Sequence, residues 1–463
     1  MLNNKRENMK PFDMSAPPVT TPWPLMPLIW GASFIMTRSN HLKLKKIGMS
    51  GVKPPFLVIS THQGFSDYYI APLILRPFRP NYVSDMEGFA AFGKRLYRAI
   101  GCIGKRRYVP DVTVMQNIGK CFEMGNPVVV FPESRHANVG TTARIPDNLG
   151  RLAKFFAKKY GTPLVILSAH GSYLANPFWD EEHTRKGRME ATLELLHTAD
   201  ELLELDASVI QKEIEEKLQY DEYAWQAENK IKFVSNNKSK LGGKDRINPA
   251  DGLHLPLYKC RNCGRKYTMI SHDNRIGCTS CRKVWKLAPS GKLYDSDRKE
   301  YSIVDWYNLE RENAEKELGF LQATAKGAYK TFNVNIEALP NEYGFVKLGS
   351  GKLTLDGECF KLRFIPKKKY NYVPKDWIFA NKGKEDSSNK VLSTTKKDEV
   401  TLIFPHKNRE SLQTEYNYRG RGPAVVLSHQ DCTYYLYSED KDFNPTELQF
   451  IAESLYEKNG KQN

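Results

Sequence analysis

The sequence contains no uninterrupted apolar run of about 18 residues, the length that a membrane-spanning helix requires. The nearest candidate, residues 22–36, is interrupted by three prolines and carries Trp23 and Trp30. This stretch also lacks the small-residue cleavage signature of a secretory signal peptide. We therefore expect neither a spanning helix nor a secretory leader in this region.

Cysteine is scarce, with 8 among 463 residues, which excludes the disulfide framework that is typical of small secreted chains. Four of the eight form two C-x-x-C pairs, Cys260 with Cys263 and Cys278 with Cys281. This spacing is typical of a zinc ribbon and predicts a tetrahedral Zn²⁺ site in a reducing compartment. Because four thiolates leave no open coordination position, we expect the zinc to be structural rather than catalytic.

Acidic residues are outnumbered, with 53 Asp and Glu against 69 Lys and Arg, which gives a formal net charge of +16. Such an excess favours a polyanionic partner: nucleic acid, an anionic membrane surface or a phosphorylated substrate. Basic and aromatic residues of the cysteine segment would suit nucleic acid, namely Arg261, Arg265, Lys266 and Tyr267. No base-reading element accompanies them, so we favour the alternative that this segment packs against its neighbours.

Residues 1–48 are predicted to contact a membrane interface. The apolar stretch with its two tryptophans is followed by the basic segment HLKLKK at residues 41–46. Apolar residues beside lysines are typical of a segment that lies among lipid headgroups. The alternative is an amino-terminal helix packed on its own domain. On the first interpretation the protein is cytoplasmic and peripheral to the inner face of the membrane.

Residues 49–234 alternate short apolar runs with helical patterns, which predicts an α/β domain with a mainly parallel sheet flanked by helices. We predict buried strands at residues 56–60, 127–131 and 163–170, with a further strand within residues 187–196. Helices are predicted within residues 112–125 and 148–161, and one long helix is predicted at residues 198–218.

The rest of the chain is predicted to comprise a polar linker at residues 235–254, the zinc ribbon at residues 255–292, and a helix followed by a β-rich domain at residues 293–463. Its short strands, closed by an amphipathic helix at residues 444–458, resemble a pleckstrin-homology or GRAM-type domain. Residues 381–399 are polar and of low complexity, which predicts a mobile loop. The basic segments PKKKY (366–370) and RGRG (419–422) either contact lipid phosphates or are solvated loops.

The loop after the first predicted strand carries His62 and Asp67, five residues apart. Substrate pockets form where the strands of a parallel sheet end. A neutral histidine can take the proton of a hydroxyl that attacks a thioester carbonyl, while a carboxylate fixes its tautomer. No serine or cysteine nucleophile is indicated, so we predict direct attack. The alternative interpretation is that Asp67 is only a helix cap and His62 an ordinary loop residue.

The segment THQGFSD (61–67), followed by FPESR (131–135) and PLVIL (163–167), resembles the PlsC family of glycerolipid acyltransferases. The resemblance implies that His62 is the catalytic base and Asp67 its partner. The second family box, aligned on GCIGKRR (101–107), implies that Arg107 binds phosphate. The third box implies substrate-binding roles for Glu133 and Arg135.

These three boxes differ from the family pattern at three points. Thr61 replaces the usual asparagine before the histidine. The second box has Gly104, Lys105 and Arg106 where apolar and acidic residues are expected. FPESR is one residue shorter than the family's FPEGTR, which offsets its arginine.

The resemblance implies an acyltransferase of phospholipid biosynthesis that moves a fatty acyl group from acyl-CoA or acyl-ACP to the hydroxyl of a lysophospholipid. The expected acceptor is 1-acylglycerol-3-phosphate, and the expected partners are these substrates, a membrane surface and, with acyl-ACP, the carrier protein. Two other classes stay open: a non-catalytic lipid-binding scaffold and a zinc-ribbon protein that binds nucleic acid.

Overall fold

The computed structural model describes residues 8–180, 182–236, 247–367, 370–380 and 398–460. Most of the predicted mobile loop at residues 381–399 lies outside the described residues. The same holds for residues 237–246 of the predicted linker and for two lysines of PKKKY.

Strands and helices alternate in the amino-terminal half of the described chain. Strands β1 to β9 are Lys43–Ile47, Leu57–Ser60, Asn81–Asp85, Cys102–Lys105, Val128–Val130, Leu164–His170, Arg185–Lys186, Glu190–His197 and Val234–Ser235. Helices α1 to α10 are Met26–Thr37, Asp67–Ile74, Met86–Phe92, Lys94–Ala99, Val112–Glu123, Leu149–Tyr160, Ser172–Ala175, Ala199–Glu204, Ala207–Leu218 and Glu222–Glu228.

Seven of these strands form one sheet in the order β1-β8-β6-β2-β5-β3-β4. All neighbours are parallel except β6 and β8, which pair antiparallel. The predicted mainly parallel sheet is therefore confirmed. Strand β2 is central, and all four of its residues are buried, as its uninterrupted apolar run predicts.

The basic segment that we predicted to face a membrane forms the edge strand β1, whose five residues are all exposed. The helix predicted at residues 198–218 is two helices. Thr198 caps the first through a capping box, as its sequence predicts. Leu205 and Asp206 then adopt extended backbone, which ends one helix and starts the next. The Lys154 ammonium donates to the Leu205 carbonyl at 2.6 Å at this break.

Two antiparallel sheets follow in the carboxy-terminal half. Strands β10 to β14 are Met269–His272, Arg275–Cys278, Val284–Leu287, Leu293–Tyr294 and Glu300–Tyr301, and helix α11 is Ile303–Thr324. Strands β15 to β22 are Lys330–Leu339, Val346–Leu355, Cys359–Phe364, Ile378–Phe379, Val400–Pro405, Gln413–Glu415, Ala424–Ser428 and Thr433–Tyr437, and helix α12 is Pro445–Gly460.

The β-rich part is one eight-stranded sheet in the order β18-β19-β17-β16-β15-β22-β21-β20. Helix α12 closes it, but its first eleven residues are all buried, so the predicted amphipathic pattern is wrong for this stretch. The reason is that α12 packs against helix α11 as well as against strand β20 of the sheet. Within the residues that the structure describes, no helix combines the length and apolarity that crossing a bilayer requires.

The two halves share apolar cores. One core joins Phe12, Phe89 and Cys102 of the amino-terminal half to Tyr418 and Tyr435 of the eight-stranded sheet. A second core joins Val139 and Trp179 to the cysteine segment, α11 and α12. The carboxy-terminal sheet therefore packs directly on the domain that carries THQGFSD and FPESR.

Candidate functional site

His62 and Asp67 flank the turn between β2 and α2. Asp67 Oδ2 lies 3.3 Å from His62 Nδ1 and accepts the Gly64 N–H at 3.0 Å. Both side chains are buried, 6% exposed for the histidine and 3% for the aspartate. Ser66 occupies the N-cap position of α2 and forms no side-chain cap. Asp67 is therefore directed at the imidazole rather than at the helix terminus, which favours the catalytic interpretation over the cap.

The second ring nitrogen of His62, Nε2, is the one that Asp67 does not contact. If Nδ1–H is donated to Asp67, Nε2 keeps its lone pair and can accept a proton. The Tyr68 hydroxyl lies 3.4 Å from Nε2, longer than an ordinary hydrogen bond. Burial raises the pKa of Tyr68 well above its ordinary value, so that hydroxyl stays protonated. This arrangement leaves Nε2 available to an incoming hydroxyl.

Glu133 holds the main chain of the His62–Asp67 loop. Its Oε1 accepts the His62 N–H at 2.7 Å, and its Oε2 accepts the Ala143 N–H at 2.7 Å and the Tyr220 hydroxyl at 3.1 Å. It is 1% exposed. Burial raises the pKa of Glu133 to about 7, while the backbone donors act in the opposite direction. Glu133 thus fixes the main chain of His62. It is not among the residues that line the cavity between the two halves of the chain.

Arg135 ties the third box to the carboxy-terminal helix. Its guanidinium lies 3.5 Å from Glu453 of α12, which also pairs with Arg311 of α11 at 2.6 Å. Ser134, the residue before it, has a φ of 55°, in the left-handed region that favours glycine. The family pattern has glycine at this position, directly after the glutamate. The shortened box therefore keeps the turn but gives its arginine a buried carboxylate partner.

Arg107 lines the cavity and faces two carboxylates. It pairs with Asp85, and its Nη1 lies 3.3 Å from Glu87. The Tyr435 hydroxyl of the carboxy-terminal sheet donates to Glu87 as well. The charge of Arg107 is thus opposed by two acids within hydrogen-bonding reach.

Arg106 explains the unusual second box. Its guanidinium is buried and donates all five of its N–H groups to the carboxy-terminal domain. The acceptors are the carbonyls of Leu339, Pro340, Gln430 and Asp431 at 2.6–3.0 Å and the Thr433 hydroxyl at 3.1 Å. Where the family pattern has an acidic residue, this chain therefore has an anchor for its own additional domain.

Thr61, the other departure, ties the His62–Asp67 loop to strand β6. Its hydroxyl accepts the Ala169 N–H at 3.2 Å, and its N–H donates to the Leu167 carbonyl at 3.1 Å. The neighbouring Gln63 amide donates to the Ala169 carbonyl at 2.5 Å. Thr61 thus satisfies the polar groups where β2 ends and fixes the start of the loop.

His136 is a site residue that the sequence analysis did not single out. Its ring centroid lies 4.5 Å from that of His62, and it lines the cavity. Burial, with His62 and Arg107 nearby, holds the pKa of His136 well below its ordinary value, so it is neutral. Its position one residue after FPESR was the available signal.

A cavity of about 1390 Å³ lies between the two halves of the chain. The acyltransferase-like half contributes Gly64 and Phe65 of the His62–Asp67 loop, Arg107, and His136, whose ring contacts that of His62. The opposite wall comes from residues 335–437 of the carboxy-terminal half. Ligand pockets commonly measure about 300–1,000 Å³, so this cavity has room for more than one small substrate.

The four cysteines of the two C-x-x-C pairs converge. Their sulfur atoms all lie within 4.8 Å of one another, with Cys260 and Cys281 3.6 Å apart and Cys263 and Cys278 3.8 Å apart. A tetrahedron of sulfurs at about 2.3 Å from a Zn²⁺ ion has edges of about 3.8 Å. The cluster therefore has the ligands and dimensions for one metal ion.

Comparison with known proteins gives one family match. Residues 38–174 match the model of the family described as Acyltransferase, which covers both the His62–Asp67 loop and FPESR. Among curated proteins, none matches this chain.

A solved structure is also similar, the 1-acyl-sn-glycerophosphate (LPA) acyltransferase PlsC from Thermotoga maritima. The match has 16% sequence identity and a TM-score of 0.31, and it covers 42% of this chain and 79% of that chain. Residues 38–174, which are less than half of the chain, are thus similar to the acyltransferase family.

Proposed function

We propose that the protein transfers a fatty acyl group from an acyl thioester, acyl-CoA or acyl-ACP, to the hydroxyl of a lysophospholipid in phospholipid biosynthesis. The expected acceptor is 1-acylglycerol-3-phosphate. The observation that carries the proposal is the buried His62–Asp67 pair, which lies beside a large cavity in an acyltransferase domain.

In the proposed reaction His62 Nε2 takes the proton of the acceptor hydroxyl as its oxygen attacks the thioester carbonyl. Asp67 stabilises the resulting imidazolium through Nδ1. The carbon–sulfur bond then breaks, and the leaving thiolate takes the proton from the imidazolium. Glu133 acts as a positioning residue through the His62 N–H rather than by contact with substrate.

Arg107 is the proposed phosphate contact, because it lines the cavity close to the catalytic loop. A phosphate would have to compete there with Asp85 and Glu87. Burial raises the pKa of Glu87, which favours its neutral form and lessens that competition. Arg135 also lines the cavity, and we assign it a weaker contact with the phosphate than Arg107 makes, because Glu453 already pairs with its guanidinium.

Helix α1 supports the proposed membrane contact. Four of its apolar side chains are more than half exposed, with Leu28 at 68%, Phe34 at 61%, Ile35 at 57% and Met36 at 54%. Trp23, just before the helix, is 55% exposed, and the edge strand β1 adds three exposed lysines. An apolar surface beside lysines suits the interface of an anionic bilayer. We place this face on the inner surface of the cytoplasmic membrane.

The test of the proposed function is a panel of donors and acceptors. Purified protein is incubated with labelled acyl-CoA or acyl-ACP and a mixture of lysophospholipids, and the lipids are identified by mass spectrometry. We expect a diacylated phospholipid, with 1-acylglycerol-3-phosphate consumed fastest. If no acceptor gains an acyl chain from either donor, the scaffold alternative takes the place of this proposal.

We also propose that the cysteine cluster binds one structural Zn²⁺ ion in a zinc ribbon. The two knuckles are alike: Gly264 N–H donates to the Cys260 carbonyl at 2.8 Å, and Arg282 N–H donates to the Cys278 carbonyl at 2.9 Å. Thiolate ligands in this geometry complete the coordination of the metal, so no catalytic role is assigned to it.

The zinc prediction has a direct test. Elemental analysis of the purified wild-type protein is expected to find about one zinc per chain, and Cys278→Ser should lower both the zinc content and the melting temperature. Cys359→Ser, a change at a cysteine outside the cluster, serves as the control and should keep the zinc. Equal zinc content in the two variants would contradict the assignment.

The packing of the cysteine segment favours a structural role over nucleic-acid binding. The Lys266 ammonium lies 2.5 Å from Glu447 of α12, and the Tyr267 hydroxyl donates to the same carboxylate at 2.5 Å. Arg265 donates to the Ser280 hydroxyl at 2.7 Å, and Arg261 lies over the Tyr301 ring. The residues that would suit nucleic acid are therefore already engaged within the chain.

A further inference from the structure

The two walls of the cavity differ in charge. On the acyltransferase side, the lining cations Arg107 and Arg135 each pair with a carboxylate of the chain, Asp85 and Glu453 respectively. On the carboxy-terminal side the four cations Lys347, Lys367, Arg419 and Arg421 outnumber the two carboxylates Glu337 and Glu415. Unbalanced positive charge in the cavity thus lies on the wall that the family match does not cover.

The two arginines of this wall are held in place. Glu337 is buried and accepts Arg419 Nη1 at 3.0 Å and the Tyr418 hydroxyl at 2.7 Å, and it pairs with Arg421 as well. Arg419 has a φ of 50°, a left-handed conformation that costs a non-glycine residue free energy and persists at functional sites. One carboxylate thus fixes two guanidinium groups, and both remain partly exposed, at 47% and 30% of the side chain.

The two lysines add charge without such partners. Lys347 and Lys367 are exposed, and neither forms an ion pair within the described part of the chain. The aliphatic part of the Lys367 side chain packs on Gly349, which also lines the cavity. Within the described part of the chain, the wall therefore presents two ammonium groups without an ion pair and two fixed guanidinium groups. This is the donor set that phosphate oxygens prefer.

We propose that this carboxy-terminal wall binds the phosphate-bearing end of one of the two substrates, while the reacting group lies at His62. The inference rests on the proposed function for its choice of ligands. Two sources share the chemistry: the phosphates of coenzyme A in the acyl donor and the phosphate of the lysophospholipid acceptor. The RGRG segment thus lines the cavity and is not merely a solvated loop.

Binding measurements with one substrate at a time test the wall without turnover. The test variant is Lys347→Gln with Lys367→Gln, which removes two charges and no ion pair. The matched control is Lys352→Gln with Arg363→Gln, two exposed cations paired across β16 and β17 that do not line the cavity. The probes are coenzyme A and hexanoyl-glycerol 3-phosphate, whose short chain keeps it in solution, and calorimetry gives the dissociation constants.

We expect the test variant to bind at least one probe about tenfold more weakly than wild type and the control variant to bind as wild type does. A loss confined to coenzyme A assigns the wall to the donor, and a loss confined to the lysophosphatidic acid analogue assigns it to the acceptor. Equal affinities of test and control variants for both probes would overturn the inference. Lysine-dependent binding in a protein without transferase activity would support the wall and contradict the proposed function instead.

Discussion

Replacing His62 by alanine is expected to lower the rate of acyl transfer by about 10²- to 10⁴-fold, the range that a positioned general base contributes. The side chain lies at the end of β2 with its Nδ1 against Asp67, and Nε2 is the atom that would take the proton. Asp67→Asn should lose about 10²-fold or more, because the amide keeps the volume but does not stabilise the imidazolium. Release of free thiol from acyl-CoA in the presence of lysophospholipid measures both rates.

The control for this experiment is His272→Ala. His272 is 60% exposed in the cysteine segment, so its loss should leave the transfer rate unchanged. Circular dichroism should show that all three variants keep the wild-type secondary structure. A His62→Ala protein that transfers acyl groups at the wild-type rate would remove His62 from the mechanism.

Replacing Arg106 by alanine is expected to lower the free energy of unfolding by about 3–5 kcal/mol. The substitution leaves four carbonyls and one hydroxyl without their donor at the contact between the two halves. Arg106→Lys should recover only part of the loss, since an ammonium has three donors and no planar fork. Urea denaturation gives the free energies.

The matched control is Arg95→Ala, which removes an exposed arginine of α4 from the same half of the chain. It should unfold within about 0.5 kcal/mol of wild type. Limited proteolysis adds a second readout, because a loosened contact should expose the carboxy-terminal half of Arg106→Ala to cleavage. An Arg106→Ala protein as stable as the control would mean that this anchor contributes nothing to the contact.

The sequence predicted the parts of the fold that depend on local pattern. Strands β2, β5 and β6 follow from apolar runs, and the cysteine cluster follows from the C-x-x-C spacing. Strands β1 and β4 were not predicted, because KLKKI and CIGK carry charges or glycine and become strands only by pairing with partners distant in sequence. Edge strands of this kind are specified by their neighbours rather than by their own composition.

In the candidate site, too, the contacts within one turn could be predicted from the sequence, whereas the contacts between distant residues could not. His62 and Asp67 lie within one turn, and their spacing indicated a pair before any distance was known. The partners of Arg106 and Arg135 were not predictable, because Leu339, Asp431 and Glu453 stand more than 200 residues away in the sequence. A basic residue in a box indicates that an acceptor exists but not whether that acceptor belongs to a substrate or to the chain itself.

The division of the cavity between two distant parts of the sequence has a consequence for how the protein is made. Ribosomal synthesis completes residues 43–197, which contain the His62–Asp67 loop and its seven-stranded sheet, long before residues 335–437 emerge. Until then Phe89 and Cys102 lack the carboxy-terminal side chains on which they pack, and the wall formed by residues 335–437 is absent. The cavity is therefore complete only after residues 335–437 have been synthesised and have packed on the amino-terminal half, so its time of completion is set by a part of the chain far from His62 and Asp67 in sequence.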